Sequence, residues 1–433
     1  VFTSSSFKKF SFSIISLFIY LLLFFSLLNL YTCSSTVRTI EKKTKELPKR
    51  GYKIITGETN QIRVLLSEET KLLSLKVRGA YKLISDNEEN GKLKNGDDVV
   101  FQLNNGGAKV KINAREIDGI TFLLQPMDSE SVVLFSGKKY SGDFIVVCSD
   151  NLKLLAINRL SVEDYLLGVL QPEMAVKANQ TERFEALKAF AVCARTFAEM
   201  KKIKSNTYYD ITDDVRDQVF SGCGVNTELD KKAVQETTSE VLRYKEKLAE
   251  IFYHSACGGM LEDPVNVFSG KGDDYLVAKK DGNEFPNCQI APNFNWKESY
   301  SHADIISLLR AKNLLAKSQQ AIKNIEISDT FPSGRVKELR VRFEKGNDII
   351  VKAADIRSVF TRKESKGILR STLFTLSTEM AKDRVSKITL TGKGSGHGVG
   401  LCQWGAMNLS AKGKKYTEIL EFYFQGCVIG KTE

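Results

Sequence analysis

Leu160-Ser161-Val162-Glu163-Asp164-Tyr165-Leu166-Leu167-Gly168-Val169-Leu170-Gln171-Pro172-Glu173-Met174 is the stretch around which the rest of the chain is organised. Leu166, Leu167, Val169 and Leu170 anchor it in a core. Pro172 lacks an N–H and restricts the residue before it, so it is expected to stop the helical pattern there. Glu173 then falls at an element end, where a side chain can face a cleft. An isolated Glu is most often a solvated one, so its importance has to be argued from the rest of the chain. The following segment, 184–201, is rich in Ala and predicts a close-packed helix, since small side chains let other elements approach its backbone. Arg195 is the one cation in the middle of that helix.

The chain has 433 residues, 42% hydrophobic and 27% charged, which is ordinary for a globular protein and leaves room for two or three domains. Its formal charge of +11 suits an anionic partner. That charge is spread thinly, without a basic run or interleaved aromatics, so no nucleic acid is expected as a partner. The eight cysteines, Cys33, Cys148, Cys193, Cys223, Cys257, Cys288, Cys402 and Cys427, form no C-x-x-C pair and are too sparse for a disulfide scaffold. One or two bridges, or a set of buried thiols, are both compatible with them.

Four regions follow from the patterning. Residues 1–36 hold an almost wholly apolar run, 14–30, after Lys8 and Lys9. That run is about long enough to span a bilayer, and the lysines put its start on the cytoplasmic side. Three fates are open: an uncleaved anchor, a cleaved signal peptide, or lipidation at Cys33, where Leu30-Tyr31-Thr32-Cys33 loosely matches a lipoprotein cleavage box. Retained membrane attachment is the preferred reading, with the mode left open. Residues 37–51 are charged and aperiodic, as in a linker. Residues 52–157 contain short apolar runs such as Ile62-Arg63-Val64-Leu65-Leu66 and Leu73-Ser74-Leu75-Lys76-Val77, broken by Asn95-Gly96-Asp97 and Asn105-Gly106-Gly107. This reads as a β-rich region of hairpins. It feeds a mixed core, 158–433, with the Ala-rich helix and a Gly-rich loop, and the fold class expected is α+β.

Two of the three histidines have unusual settings. His254 and Ser255 end an apolar, strand-like run and enter the small-residue turn Ala256-Cys257-Gly258-Gly259. His-x-x-Cys is compatible with half a metal site or with a thiol and its base, but no second half stands at a recognisable spacing; a turn lining a cleft is the favoured reading. His397 sits in Gly392-Lys393-Gly394-Ser395-Gly396-His397-Gly398-Val399-Gly400-Leu401-Cys402-Gln403-Trp404. Alternating glycines free the backbone for positive φ and admit a ligand or another backbone. The stretch lacks the spacing of a phosphate loop. The third, His302, reads as a solvated loop residue.

Taken together these motifs resemble the stage II sporulation protein D family, SpoIID/LytB. The matching residues are Val162-Glu163-Asp164-Tyr165-Leu166 through Glu173-Met174, Glu185-Ala186-Leu187-Lys188-Ala189 through Arg195-Thr196, His254-Ser255 with Gly258-Gly259, Ser333-Gly334-Arg335-Val336, Arg370-Ser371-Thr372, and Gly394 through Gly405-Ala406. The resemblance implies a lytic transglycosylase of the cell envelope, extracytoplasmic and membrane-anchored, acting on peptidoglycan glycan strands stripped of their peptides. It places the catalytic acid on Glu173. Arg195, His254, Ser255, His397, Gln403 and Trp404 are then candidates for substrate binding, with a structural ion pair as the alternative for Arg195. The other reading is a non-catalytic wall-binding modifier that recruits or stimulates an amidase. Zinc-binding members of the family carry cysteines just before a Gln-Val-Tyr element. Here the corresponding stretch, 210–220, has neither Cys nor His, so no metal and no cofactor are expected.

Overall fold

The computed structural model describes residues 60–104, 107–113, 115–204, 208–268, 272–316, 319 and 321–432. The expected membrane segment, the linker and the first residues of the β-rich region lie outside the described residues. The described residues hold seven α-helices and 24 strands, an α+β fold.

Two antiparallel sheets come first. One runs in the order Ile211–Thr212, Gln61–Glu69, Leu154–Ser161, Asp143–Cys148, Thr121–Pro126, Tyr81–Ser85 and Glu88–Leu93; its first strand alone pairs in parallel. The other runs Lys138–Tyr140, Val132–Phe135, Leu72–Arg78, Asp98–Asn104, Gly107–Ile112 and Arg115–Gly119. Alternation fixes which side chains face in: along Leu72–Arg78 only Leu73, Leu75 and Val77 are buried. The sheets meet through edge-on ring pairs, Phe101 on Phe122 at 5.3 Å and Phe135 on Phe144 at 5.6 Å. The strand Thr121–Pro126 does not alternate, because the first sheet is covered on both faces. Phe122 and Leu124 enter the main core, whereas Leu123 joins a small second cluster with Leu65, Ile145, Val147, Leu155 and Ile157.

The chain then enters helix α1, Val162–Met174. Ser161 caps it by accepting the N–H of Asp164, and Glu163 and Asp164 in the first turn suit the positive end of the helix dipole. Pro172 does not stop this helix, which continues through Glu173 to Met174. The missing Pro172 N–H leaves the Gly168 carbonyl open, and Ser221 donates to it at 3.0 Å. The proline therefore creates a docking point for the loop before Gly222 instead of a helix end. Gly168 makes the approach possible: a Cβ there would stand 2.4 Å from Phe220 Cε2 and 2.6 Å from the Gly222 carbonyl oxygen.

The Ala-rich segment is helix α2, Phe184–Ile203, with an unbroken buried run from Ala186 to Thr196. Against it pack α1, helix α3 (Glu228–Glu236) and the strand Glu240–Tyr244. The main hydrophobic core joins side chains from both sheets, from α1 and from α2. Residues 295–393 carry a separate core, from Trp296 to Leu390, built on two three-stranded sheets with helices α4 (His302–Ala311) and α5 (Ala353–Val359). His302 is half-buried there, its Nε2 accepting from the Ile322 N–H at 3.4 Å. After this insertion the Gly-rich loop returns to the main core. Helices α6 (Gln403–Ala411) and α7 (Tyr416–Tyr423) close the fold against α2.

Candidate active site

Glu173 is the penultimate residue of α1 and lines a cleft of about 930 Å³, a size that suits a small-molecule or oligomer ligand. Its carboxylate is held on both oxygens. The Val219 N–H donates to Oε1 at 3.0 Å, Tyr253 Oη donates to Oε1 at 3.4 Å, and Gln403 Nε2 donates to Oε2 at 3.3 Å. Burial raises the Glu173 carboxyl above its ordinary range, and these three donors pull the other way without cancelling the rise. The C-terminal end of α1 adds the negative pole of a helix dipole, which acts in the same direction as burial.

Each donor is placed by a different part of the fold. Val219 comes from the loop that Pro172 and Gly168 dock onto α1; Gln218 beside it is fully buried and accepts from Tyr165 Oη at 3.1 Å. Tyr253 belongs to the two-residue strand Tyr253–His254, which pairs in parallel with Leu401–Cys402. Phe190 of α2 meets the Tyr253 ring edge-on at 4.9 Å. Gln403 follows Cys402 directly and opens α6.

The Gly-rich loop lies along the segment 252–257. Gly396 has φ +115° and its missing Cβ would meet His254 Cβ at 2.6 Å; Gly400 has φ +71° and would meet the Phe252 carbonyl oxygen at 2.1 Å. At these positions the glycines admit another backbone. The packing sets both imidazoles. His397 Nδ1 accepts from the Val399 N–H at 3.1 Å and its Nε2–H donates to the Tyr253 carbonyl at 2.9 Å, so a second proton has no room without breaking a bond. Burial, with Arg357 and Arg335 nearby, lowers its pKa to about 3. His254 Nδ1–H donates to the Val399 carbonyl at 3.0 Å, and its Nε2 is buried without a hydrogen-bond partner among the described residues. Burial first, then His397 and Arg335, hold this ring neutral as well. The two rings stand 5.3 Å apart and form one wall of the cleft, next to Phe252 stacked on Phe268 at 4.4 Å.

Of the residues singled out in the sequence, the fold brings Glu173, His254, His397 and Gln403 together. Ser255 contributes its backbone carbonyl, which accepts the Trp404 N–H at 3.0 Å. Arg195 is not in this cleft. It is 1% exposed and makes a two-pronged pair with Glu163, Nε to Oε1 at 2.9 Å and Nη2 to Oε2 at 2.6 Å, while Nη1 donates to the Glu240 carbonyl. It joins α1 to α2, as in the ion-pair alternative. Trp404 is not among the residues that line the cleft, and Arg183 lies over its ring at 5.3 Å. The sequence reading missed Val219, a backbone donor with no signature in residue type, and Tyr253, which the His254 motif could have flagged. It also missed Phe268, 36% exposed at the cleft.

Of the other carboxylates that line the cleft, Asp210 and Asp217 are engaged, and Glu250 lines it as well. Asp210 pairs with Arg63 at 2.6 Å; Asp217 accepts from the Thr212 N–H at 2.8 Å and pairs with Lys201. Lys204 and Arg357 add positive charge to the same walls. Behind the cleft, Cys257, Asp281, Cys288 and Cys402 are all buried, with one potential ligand atom of each within 4.8 Å of the others. Cys257 therefore has in three dimensions the partners that its spacing lacked, and His254 is not among them.

A family model described as stage II sporulation protein, SpoIID, matches residues 150–244, which contain Glu173, Val219 and the docking glycine. A domain of unknown function, DUF8618, matches residues 265–400, which include the inserted core. An uncharacterized protein of Brachyspira hyodysenteriae is 30% identical over 372 residues, covering 85% of this chain and 92% of its own length. The amidase enhancer of Bacillus subtilis is 28% identical over 61% of this chain, and the match spans only 40% of that relative. Stage II sporulation protein D of Bacillus subtilis is 26% identical over 64% of this chain and 77% of its own length. With α1, its docked loop and the carboxyl they position all inside the matched segment, the chain belongs to the SpoIID family.

Proposed function

We propose that this protein is a lytic transglycosylase that cleaves peptide-stripped glycan strands of the cell wall. Membership of the SpoIID family and likeness to an amidase enhancer support a role at the cell wall. The observation that carries the finer reading is one carboxyl group, raised by burial yet surrounded by three donors. Protonated Glu173 donates to the glycosidic oxygen as the bond from that oxygen to the anomeric carbon breaks. The resulting carboxylate is stabilised by Val219, Tyr253 and Gln403. It then takes the proton of the muramyl 6-hydroxyl as that oxygen bonds to the anomeric carbon. The product is a 1,6-anhydro end, no water is consumed, and Glu173 returns to its protonated form. A hydrolase needs a second carboxylate to activate water; of the others lining the cleft, Asp210 and Asp217 are engaged elsewhere, which leaves Glu250. A stripped strand carries one lactyl carboxylate per disaccharide, which Lys204 and Arg357 suit, and Phe268 offers a stacking face.

The second reading, an amidase-directed wall binder, is favoured by the name of one relative alone. In either case we place the protein outside the cytoplasmic membrane, attached through residues 1–36. The test incubates the full-length chain, in mild detergent, with peptide-free glycan strands, alongside Glu173→Gln. Mass spectrometry is expected to find anhydro-muramyl ends from the parent and at least about 10²-fold fewer from the variant. Strand binding without cleavage by either would leave the binder. Reducing ends would mean a hydrolase and turn attention to Glu250, which lines the same cleft.

A further inference from the structure

We propose that Cys257, Asp281, Cys288 and Cys402 form a structural zinc site that clasps the two segments holding the partners of Glu173. All four residues are buried, and their ligand atoms lie within 4.8 Å of one another. Cys257 Sγ and Cys288 Sγ stand 3.4 Å apart, and Cys257 Sγ is 3.1 Å from Asp281 Oδ2. A tetrahedron with metal–sulfur bonds of about 2.3 Å has edges of about 3.8 Å, so a zinc ion needs only small side-chain shifts. Three thiolates exclude the hard oxygen-seeking cations, and four protein ligands in a buried cage are the pattern of a structural site, not one left open for catalysis.

The surroundings are those of a thiolate cluster. The Cys257 N–H points at Cys402 Sγ at 3.3 Å and the Gly259 N–H at Cys257 Sγ at 3.3 Å, bonds that favour charged sulfur. Asp281 is oriented by outer contacts: Tyr423 Oη donates to Oδ1 at 2.9 Å and the Cys288 N–H to Oδ2 at 3.2 Å. Three thiolates and one carboxylate around a dication leave a net charge of about −2. The compensating cation is present. Arg335 is 1% exposed, donates from Nη2 to the Cys257 carbonyl at 2.7 Å, and its Nε and Nη1 have no hydrogen-bond partner among the described residues. A buried guanidinium is costly without anionic charge nearby.

The position gives the ion a job. Cys257 follows the strand that carries Tyr253 and His254, and Cys402 pairs with that strand and precedes Gln403. One ion therefore ties both side-chain donors of Glu173 together from behind, whatever reaction Glu173 serves. Elemental analysis of the full-length chain, produced with zinc and purified in mild detergent, is expected to find about one zinc per chain. Cys402→Ser and Cys288→Ser should reduce this to below about a tenth, and Cys427→Ser, outside the cluster, should keep it. Cobalt exchanged into the parent should show thiolate-to-cobalt charge transfer and tetrahedral bands, a readout that needs no variant to fold. Alkylation and peptide mapping should find Cys257 and Cys288 as free thiols after metal release. Absence of zinc and of cobalt–thiolate bands, zinc retained in Cys402→Ser, or a Cys257–Cys288 disulfide would each overturn the site.

Discussion

Gly168→Ala sets local and tertiary physics against each other. Gly168 lies inside α1, and in an isolated helix the change stabilises by about 1 kcal/mol. The structure predicts the opposite sign. The new methyl would stand 2.4 Å from Phe220 and 2.6 Å from the Gly222 carbonyl oxygen, at least 0.8 Å inside ordinary contact at 3.4 Å or beyond. The oxygen belongs to the backbone, so the loop as a whole has to move. Overpacking of this kind costs about 1–3 kcal/mol, and the Ser221 N–H bond to the Gly168 carbonyl, at 3.0 Å, contributes about 1 kcal/mol more when it is lost. The net expectation is destabilisation by about 1–3 kcal/mol, read as a lower urea midpoint at unchanged slope. The same displacement carries the Val219 N–H away from Glu173. A hydrogen bond to a charged group is worth about 1.5–3 kcal/mol, so under the proposed reaction strand cleavage is expected to fall roughly 10- to 100-fold. A variant as stable as the parent, or more stable, would refute the docking account of Gly168 and Pro172.

Arg195→Leu breaks a pair whose other member, Glu163, is 33% exposed and keeps the Ser239 N–H at 3.1 Å. The cost is expected near 2–3 kcal/mol by denaturation, below that of a fully buried pair, with KM for strands unchanged; a raised KM would return Arg195 to the substrate. Both cleft imidazoles are held neutral in the folded protein, so the sign of their pH effect is fixed. The unfolded chain takes up the protons below about pH 6.5, and the folded one refuses them down to about pH 3 at His397. Stability is full above about pH 6.5 and falls on acidification, by about 2 kcal/mol at pH 5 from His397 alone, and His254 acts in the same direction. Melting temperatures at pH 7, 6 and 5, with His254→Asn as control, check this; a parent insensitive between pH 7 and 5 would contradict it.

Period and composition were enough for the α+β class, for the hairpins around Leu73, Leu75 and Val77, and for a buried Ala-rich helix. Alternation and small side chains are local properties, and local properties are written in the order of residues. The motif singled out Glu173, and the fold sets it in the cleft. Its chemistry was not legible there, because a carboxyl's proton affinity depends on who surrounds it, and Val219, Tyr253 and Gln403 come from three distant segments. Pro172 shows the limit in one residue: the sequence predicts a stop, and tertiary docking of Ser221 on the carbonyl it frees turns that stop into an anchor. Arg195 and Trp404 were candidates for substrate binding by residue type; the fold pairs Arg195 with Glu163 and lays Arg183 over the Trp404 ring. The second core within 295–393 and the sulfur cluster have the same explanation. Side chains far apart along the chain become neighbours only when burial of the apolar faces has decided which elements pack, and that decision belongs to the whole fold.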